Sequence, residues 1–326
     1  MIETNGDELN NFKYIDLFCG IGGFHIALSS FGAKCVFASD IDKYAQNIYK
    51  TNFGIQPHGD IKKIKCKDIP SHDILCAGFP CQPFSISGHQ HGFEDASGNG
   101  KLFFEIIRIV RYHKPKLVLL ENVRNLEYHN NGQTLKIIKT KLNSVGYYVF
   151  CKTLNASDFG IPQARQRLYI VAFKKSLRIK NFVFPSNTNK QVSLSDILLD
   201  DENINENVQI TREYTIDKPE AVYKSNRLIR VGKIGLGRQG ERIYSPLGHS
   251  VTLSSQSGGI GGKTGMYYVN GNVRKLCSRE CARLMGFPDS YILPSNTNTT
   301  YAKFGNSVVV DVLQYILKEI IKYLWG

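Results

Sequence analysis

Residues 13–32 read KYIDLFCGIGGFHIALSSFG. Lys13–Phe18 is a short, mostly apolar run that stops at the cluster Cys19-Gly20-Ile21-Gly22-Gly23, after which FHIALSSFG has helical spacing. Strand, glycine turn and helix in that order is the opening unit of a parallel α/β sheet. At the carboxyl end of such a strand, glycines let the backbone approach a ligand closely. The run is GIGG and not GxGxxG, which favours a nucleoside ligand without a pyrophosphate over a dinucleotide. Glycines alone leave a ligand-free tight turn equally open.

The same alternation continues outward. CVFASD is a second run followed by the helix-like DKYAQNIYKTNFG. DILCAG is a third and LVLLE a fourth, with the amphipathic KLFFEIIRIVRYH between them. After QTLKIIKTKLNSVG come YYVFCKTLNA and RLYIVAF, which lack a helix between them and are expected to form an antiparallel pair. The expectation is an α/β fold, a doubly wound and mostly parallel Rossmann-like sheet covered on both faces. Near Pro185 the character changes: residues 186–270 are rich in Asn, Ser, Gly and charge, with glycine runs at VGKIGLGRQG and SGGIGGKTG. This predicts a smaller, irregular, β-rich unit over 196–277, and a main domain of 1–195 plus 278–326. Helical patterns return at SRECARLMGF and in a C-terminal helix from Ser307, apolar enough to need the main sheet as its partner.

The chain has 326 residues, 42% of them hydrophobic, enough for a real core. Lys and Arg number 41 against 28 Asp and Glu, a surplus of +13 that points to a polyanion such as nucleic acid. The most apolar late stretch, VVVDVLQYILKEIIKYLW, is broken by Asp311, Gln314, Lys318 and Glu319 before the ~18 residues of a membrane span accumulate. The polar start MIETNGDELNN does not fit a secretion signal, so a cytoplasmic protein is expected. Eight scattered cysteines, mostly inside apolar runs, read as reduced thiols. Cys277 and Cys281 have no second ligand pair nearby, so no metal is expected.

Several side chains converge on the glycine edge. Asp40 or Asp42, at the end of the second strand, can reach ribose hydroxyls; Asp60 in HGDIKKI is a further polar contact or a solvated loop residue. Cys81 in GFPCQPFSISG sits on a proline-flanked loop after the third strand, at the ligand-binding edge, where a nucleophile is plausible beside the reading as packing. Glu121 and Asn122 end the fourth strand and should project into the same crevice, where an unpaired carboxylate is costly. Arg165 and Arg167 alternate ahead of the last strand and can point to one face. Each alone is as readily structural as functional.

The ordered set DLFCGIGG, GFPCQPFSISG, ENVRNL, QARQRLYIV, RECARLMGFP and FGNSVV resembles the DNA cytosine-5 methyltransferase family over essentially the whole chain, and especially its HhaI-type bacterial group. The resemblance implies Cys81 as the thiolate that adds to carbon 6 of cytosine, so that carbon 5 can attack a methyl sulfonium. It implies Glu121 at ring nitrogen 3, with Arg167 and Arg165 holding the base carbonyl and a neighbouring phosphate or carboxylate. The methyl donor implied is S-adenosylmethionine, leaving as S-adenosylhomocysteine. Its contacts would be Phe18, Gly20 and Gly23 at the methionine part, Asp40 and Ile41 at the ribose and its neighbourhood, and Asp60 and Ile61 at the adenine. Gly78, Pro80, Leu102, Asn306 and Ser307 complete the pocket. The HhaI-type relative has Glu and Trp at the positions of Asp40 and Ile41, so an aromatic stack worth ~0.5–1.5 kcal/mol is absent.

A base inside a duplex must be flipped out to be reached. Ser87 and Gln239 match residues that fill the space it leaves. Ser85, Arg242, Thr252, Gln256, Gly258 and Gly259 are the further DNA contacts expected, Gln256 standing where the relative has Tyr. The expected substrate is a short GC-rich palindrome in double-stranded DNA, GCGC leading, in a bacterial restriction–modification setting with a cognate endonuclease. The enzyme is expected to act as a monomer. Two alternatives stay open: a transfer-RNA cytosine methyltransferase, disfavoured by the long 186–277 insert, and a non-catalytic nucleic-acid-binding protein, disfavoured by the presence of Cys81, Glu121 and Arg167.

Overall fold

The computed structural model describes residues 6–79, 101–217, 223–255, 259–294 and 296–325. Cys81, Pro80, Ser85, Ser87, Gln256 and Gly258 lie outside the described residues.

Six strands make the main sheet: β1 (Lys13–Leu17), β2 (Lys34–Ser39), β3 (Ile74–Gly78), β4 (Leu117–Val123), β5 (Tyr147–Asn155) and β6 (Gln166–Lys174), in the order β2-β1-β3-β4-β6-β5. β1 is parallel to both β2 and β3, and β3 to β4; β6 runs antiparallel to β4 and β5. The antiparallel pairing of the last two strands agrees with the sequence reading. β6 also slots between β4 and β5, so its amino end lies at the edge where the parallel strands finish. The order turns back between β1 and β3, and the crevice at such a reversal, outside the carboxyl ends, is where doubly wound sheets take ligands.

Strand alternation divides the core. Tyr14, Cys76, Leu119 and Val171 face one side, with Phe24, Ala27 and Leu28 of α1 (Gly23–Ser29) and Leu313, Ile316 and Ile320 of the last helix. Ile15, Leu75, Leu120 and Ile170 face the other, under α3 (Lys101–His113) and α4 (Gln133–Ser144). Strands buried on both faces carry the near-continuous apolar runs ILCA and LVLL. Helix α2 (Lys43–Phe53) is capped at both ends: the Asp42 side chain accepts from Tyr44 N and Ala45 N, and Gly54 closes it in the left-handed region.

The C-terminal segment differs from its sequence reading. A helix α6 (Thr297–Asn306), which the sequence pattern did not reveal, precedes an extended Ser307, and the last helix, α7, begins at Val310 and not at Ser307. α7 does bury on the main sheet's α1 face.

Between these halves lies a five-stranded sheet, β11-β10-β9-β8-β7, from β7 (Thr215–Ile216), β8 (Arg230–Lys233), β9 (Arg242–Tyr244), β10 (Met266–Val269) and β11 (Asn272–Arg274). Val231, Ile243, Met266 and Val273 form its own small core. Alternation sends Tyr244 and Tyr267 the other way, into the main core. Arg274 of β11 makes a bidentate, buried pair with Glu280 of α5 (Ser278–Arg283), at 2.9 Å for each bond. No helix among the described residues is long and apolar enough to cross a membrane.

Candidate active site

A cavity of about 1060 Å³ opens at the carboxyl edge of the main sheet. That is slightly above the ~300–1,000 Å³ usual for small-molecule sites. Its wall brings together Phe18, Gly20, Gly23, Asp40, Ile41, Asp60, Ile61, Gly78, Leu102, Asn306 and Ser307 with Glu121, Arg165, Arg167, Gln239 and Thr252. Both sets expected from the sequence thus share one cavity, apart from residues outside the described ones and Arg242 and Gly259, which do not line it.

The glycine turn is built to come close to a ligand. Phe18 and Gly20 both have positive φ, +55° and +51°, and a Cβ on Gly20 would meet nothing within 4 Å. Its backbone N–H donates to Asp40 Oδ2 at 2.8 Å, and Asp42 N–H donates to Oδ1 at 2.8 Å. Two backbone donors therefore aim the Asp40 carboxylate, with lone pairs left for hydroxyl donors. Burial pushes its pKa up, against the pull of those N–H groups. Asp42, the alternative ribose partner, is spent elsewhere: Oδ1 caps α2 and Oδ2 pairs with Lys303. Asp60 caps the 3-10 turn Ile61–Lys63 by accepting from Lys62 N at 3.0 Å, and Arg108 Nη2 holds Ile61 O at 3.1 Å. Ile41 is 73% exposed on this wall. An open, glycine-floored cavity with an oriented carboxylate and an apolar rim suits an adenosine cofactor. Among the described residues no group of side chains has metal-ligand geometry.

On the opposite wall, Glu121 lies two residues before the end of β4, almost fully buried. Burial raises its pKa, and Arg167 and then Arg165 offset this only in part, so the carboxyl is held above its usual range. Arg167 Nε lies 3.2 Å from Glu121 Oε1, yet that oxygen accepts no aligned hydrogen bond among the described residues. The contact is an ion pair with hydrogen-bonding capacity to spare. Asn122 donates from Nδ2 to Phe79 O at 2.8 Å and accepts Val123 N at 2.9 Å. It thereby pins the residue from which the chain enters Pro80-Cys81.

The two arginines make different contacts in the described structure. Arg167 keeps its head at Glu121 and donates to Gln166 O at 2.8 Å. Arg165 is 2% exposed and donates to Leu253 O at 3.1 Å, Gly305 O at 3.0 Å and Ser307 O at 2.6 Å. Burial lowers its pKa to about 9, helped by the neighbouring Arg167 charge and opposed only in part by Glu121. It fastens three separate segments where a sequence sees only alternation. Beside it Gln163 donates to Leu284 O and accepts Leu253 N, both at 3.0 Å, and Thr252 donates to Ala164 O. A Cβ on Gly305 would sit 2.4 Å from the Ser254 carbonyl carbon, so only glycine permits this packing.

Sequence reasoning missed Lys303 and Gln163. Lys303 lies one residue ahead of FGNSVV and Gln163 is the first residue of QARQRLYIV, and nothing in the spacing of either marks it for a role. Arg242 is exposed at the start of β9, its Nε 3.4 Å from Gly237 O. The loop that follows Gly259 adjoins the loop carrying Gln239, through Gly261 N to Gly240 O at 3.0 Å.

This fold and edge define a class, and comparison with known proteins identifies the family. Residues 12–322 match the model of the C-5 cytosine-specific DNA methylases, and the chain belongs to that family. It is 50% identical over 320 residues to Type II methyltransferase M.HhaI of Haemophilus parahaemolyticus, covering 98% of this chain and 97% of the relative. It is 42% identical to Type II methyltransferase M.HaeII of Haemophilus aegyptius, covering 97% of this chain and 95% of that one. Among solved structures, S. pombe Dnmt2 methyltransferase (TM-score 0.69, 22% identity, 97% of this chain and 100% of that chain) and the Entamoeba histolytica methyltransferase EhMeth (0.70, 20%, 97% and 99%) share the fold. The protein is a C-5 cytosine DNA methyltransferase closely related to Type II restriction–modification enzymes.

Proposed function

We propose that the protein methylates carbon 5 of a flipped-out cytosine in a short GC-rich palindrome of double-stranded DNA, GCGC leading, with S-adenosylmethionine as donor. The observation that carries the reading is Glu121: a carboxyl held above its usual range on the wall of the cavity, steered by Arg167. Carbon 5 of cytosine is too weak a nucleophile until a thiolate adds to carbon 6, and addition places negative charge on the ring. A protonated Glu121 donates to nitrogen 3 and removes that charge as it forms. Arg167 holds the base carbonyl, and Cys81 supplies the thiolate. Arg165 serves the same centre by holding the walls around it. Bound S-adenosylmethionine supplies an electrophilic methyl group. A base, with water the simplest candidate, then takes the carbon 5 proton, and the Cys81–carbon 6 bond breaks.

The donor's contacts are assigned to Phe18, Gly20, Gly23, Asp40, Ile41, Asp60, Ile61, Gly78, Pro80, Leu102, Asn306 and Ser307, leaving as S-adenosylhomocysteine. The segment 196–277 is assigned to target recognition, and 1–195 with 278–326 to catalysis. Ser85, Ser87, Gln239, Arg242, Thr252, Gln256, Gly258 and Gly259 are assigned to DNA. The +13 surplus suits duplex binding, because phosphate contacts release counterions. We assign the enzyme to the bacterial cytoplasm as a monomer, protecting host DNA beside a cognate endonuclease.

Bisulfite sequencing of mixed-sequence DNA treated with enzyme and S-adenosylmethionine tests this directly. Protected cytosines confined to GCGC are expected; protection at another site overturns the target. Duplex carrying 5-fluorocytosine should trap a covalent adduct that Cys81→Ala abolishes, and an adduct that survives in that variant removes Cys81 as nucleophile.

A further inference from the structure

Lys303 of α6 pairs with Asp42, and both line the cavity on the wall that carries Asp40 and Ile41. The Lys303 side chain is 17% exposed and the Asp42 side chain 37%, so the pair is sheltered without being sealed. What gives it consequence is the parts it joins. On one side the Asp42 carboxylate is fixed by the N–H groups of Tyr44 and Ala45, while its own N–H orients Asp40, which also accepts Gly20 N–H. On the other side Lys303 stands two residues before Gly305, whose carbonyl, with that of Ser307, is held by Arg165. The ion pair is a tie in the described structure between the aspartate wall and the Gly305–Ser307 wall of one cavity. Burial pushes the Asp42 pKa up, but Lys303 and the helix N–H groups outweigh it and hold the carboxyl below its usual range, so the pair stays charged.

We propose that Asp42 and Lys303 form an ionic strap that keeps these two walls together around the cofactor, making both of them positioning residues that set how long the cofactor stays bound. The proposal rests on the reading of this half of the cavity as the S-adenosylmethionine site. The wall here is otherwise weak: Ile41, between the two aspartates, is 73% exposed. An ionic closure also opens more readily than a packed one, because salt screens it. Release of S-adenosylhomocysteine after each turnover therefore depends on breaking a charge pair.

The test uses the full chain and two substitutions that keep shape. Asp42→Asn retains a side-chain oxygen to cap α2 while removing the charge; Lys303→Gln removes the partner. Binding of S-adenosylhomocysteine is measured by calorimetry, and its dissociation by stopped-flow displacement. Each single variant should weaken binding and speed dissociation about three- to tenfold, the upper part of what a sheltered pair gives. The double variant should be no worse than either single, and Lys303→Arg should restore wild-type binding. The kinetic change should fall on KM for S-adenosylmethionine and spare kcat. Added salt should weaken binding in the wild type more steeply than in the double variant. If Lys303→Gln weakens binding and Asp42→Asn does not, Lys303 touches the cofactor itself and the strap is refuted. Variants all within twofold of wild type refute it as well. A wild-type protein that binds neither form of the cofactor overturns the site assignment, and the strap with it.

Discussion

Glu121 and Arg167 meet diagonally across the β4–β6 ladder, Oε1 to Nε at 3.2 Å, with Glu121 paired in register to Tyr169 and Arg167 to Val123. Diagonal neighbours on one face of an antiparallel pair are within reach of long side chains. The reversed strand β6 thus delivers an arginine to the edge where the parallel strand β4 delivers its carboxyl. A fully parallel sheet would have put the amino end of that strand at the far edge.

The first prediction follows from that burial. The folded pKa of Glu121 is raised, so between its unfolded and folded values the native state holds a proton that the unfolded state has lost. Unfolding free energy therefore falls as pH rises through that window. Glu121→Gln removes the dependence and should leave Tm at neutral pH equal to or above wild type. Its kcat should fall about 10²–10³-fold, as when one preorganised donor to a developing charge is lost. Thermal melts at several pH values beside single-turnover methylation check both halves; parallel loss of stability and rate would make Glu121 structural.

The arginines should separate in the same assay. Arg165→Met strips donors from the carbonyls of Leu253, Gly305 and Ser307, all buried around one guanidinium. Each stranded acceptor costs about 1–3 kcal/mol, so several kcal/mol of stability should go, read by urea unfolding. Arg167→Met, at a more open position with one carbonyl bond, should cost little stability and most of the rate. Equal stability losses would contradict the division of labour.

The main sheet was legible because strands buried on both faces cannot hide their composition: ILCA and LVLL read as strands wherever they fall. From the residues alone the carboxylate expected at the ribose stayed open between Asp40 and Asp42, and only the family resemblance favoured Asp40, although an Asp directly ahead of the helical pattern KYAQNIY is itself a cap signal. Helix α6 was missed because its Thr- and Asn-rich sequence masks the stripe Thr300, Tyr301 and Phe304 that it buries. The strands β7 to β11 are two to four residues long, too short to show a period. Arg165 lines the same cavity as Glu121 and Arg167, but alternation cannot reveal which main-chain carbonyls will arrive from 88 and 140 residues away.

Two glycines should fail in different ways. Gly20→Ala places its methyl in open space at φ +51°, where a non-glycine residue costs about 1–2 kcal/mol. The new group faces the cavity, so cofactor binding should suffer more than Tm. Gly305→Ala instead drives a methyl to 2.4 Å from the Ser254 carbonyl carbon, a backbone atom that cannot swing aside. That variant should lose stability first, with the 254–255 segment displaced. Calorimetric cofactor titration and thermal melts on the two proteins give the comparison, and the reverse ranking would refute it.

The last prediction concerns readout. Arg242 is exposed at the start of β9, and the loops around Gly240 and Gly261 abut beside it through a 3.0 Å hydrogen bond. Among the described residues its side chain makes one weak contact, Nε to Gly237 O at 3.4 Å, which leaves the terminal nitrogens for a ligand. A guanidinium so presented can donate twice to guanine O6 and N7 in the major groove, worth about 1–3 kcal/mol of discrimination. A phosphate contact would use the same group with no preference for sequence. Arg242→Ala should therefore relax the choice at one guanine position of the target, measured by competition among duplexes that each change a single base pair. Loss that is uniform across all duplexes, with a salt slope shallower by about one contact, would make Arg242 a phosphate anchor instead.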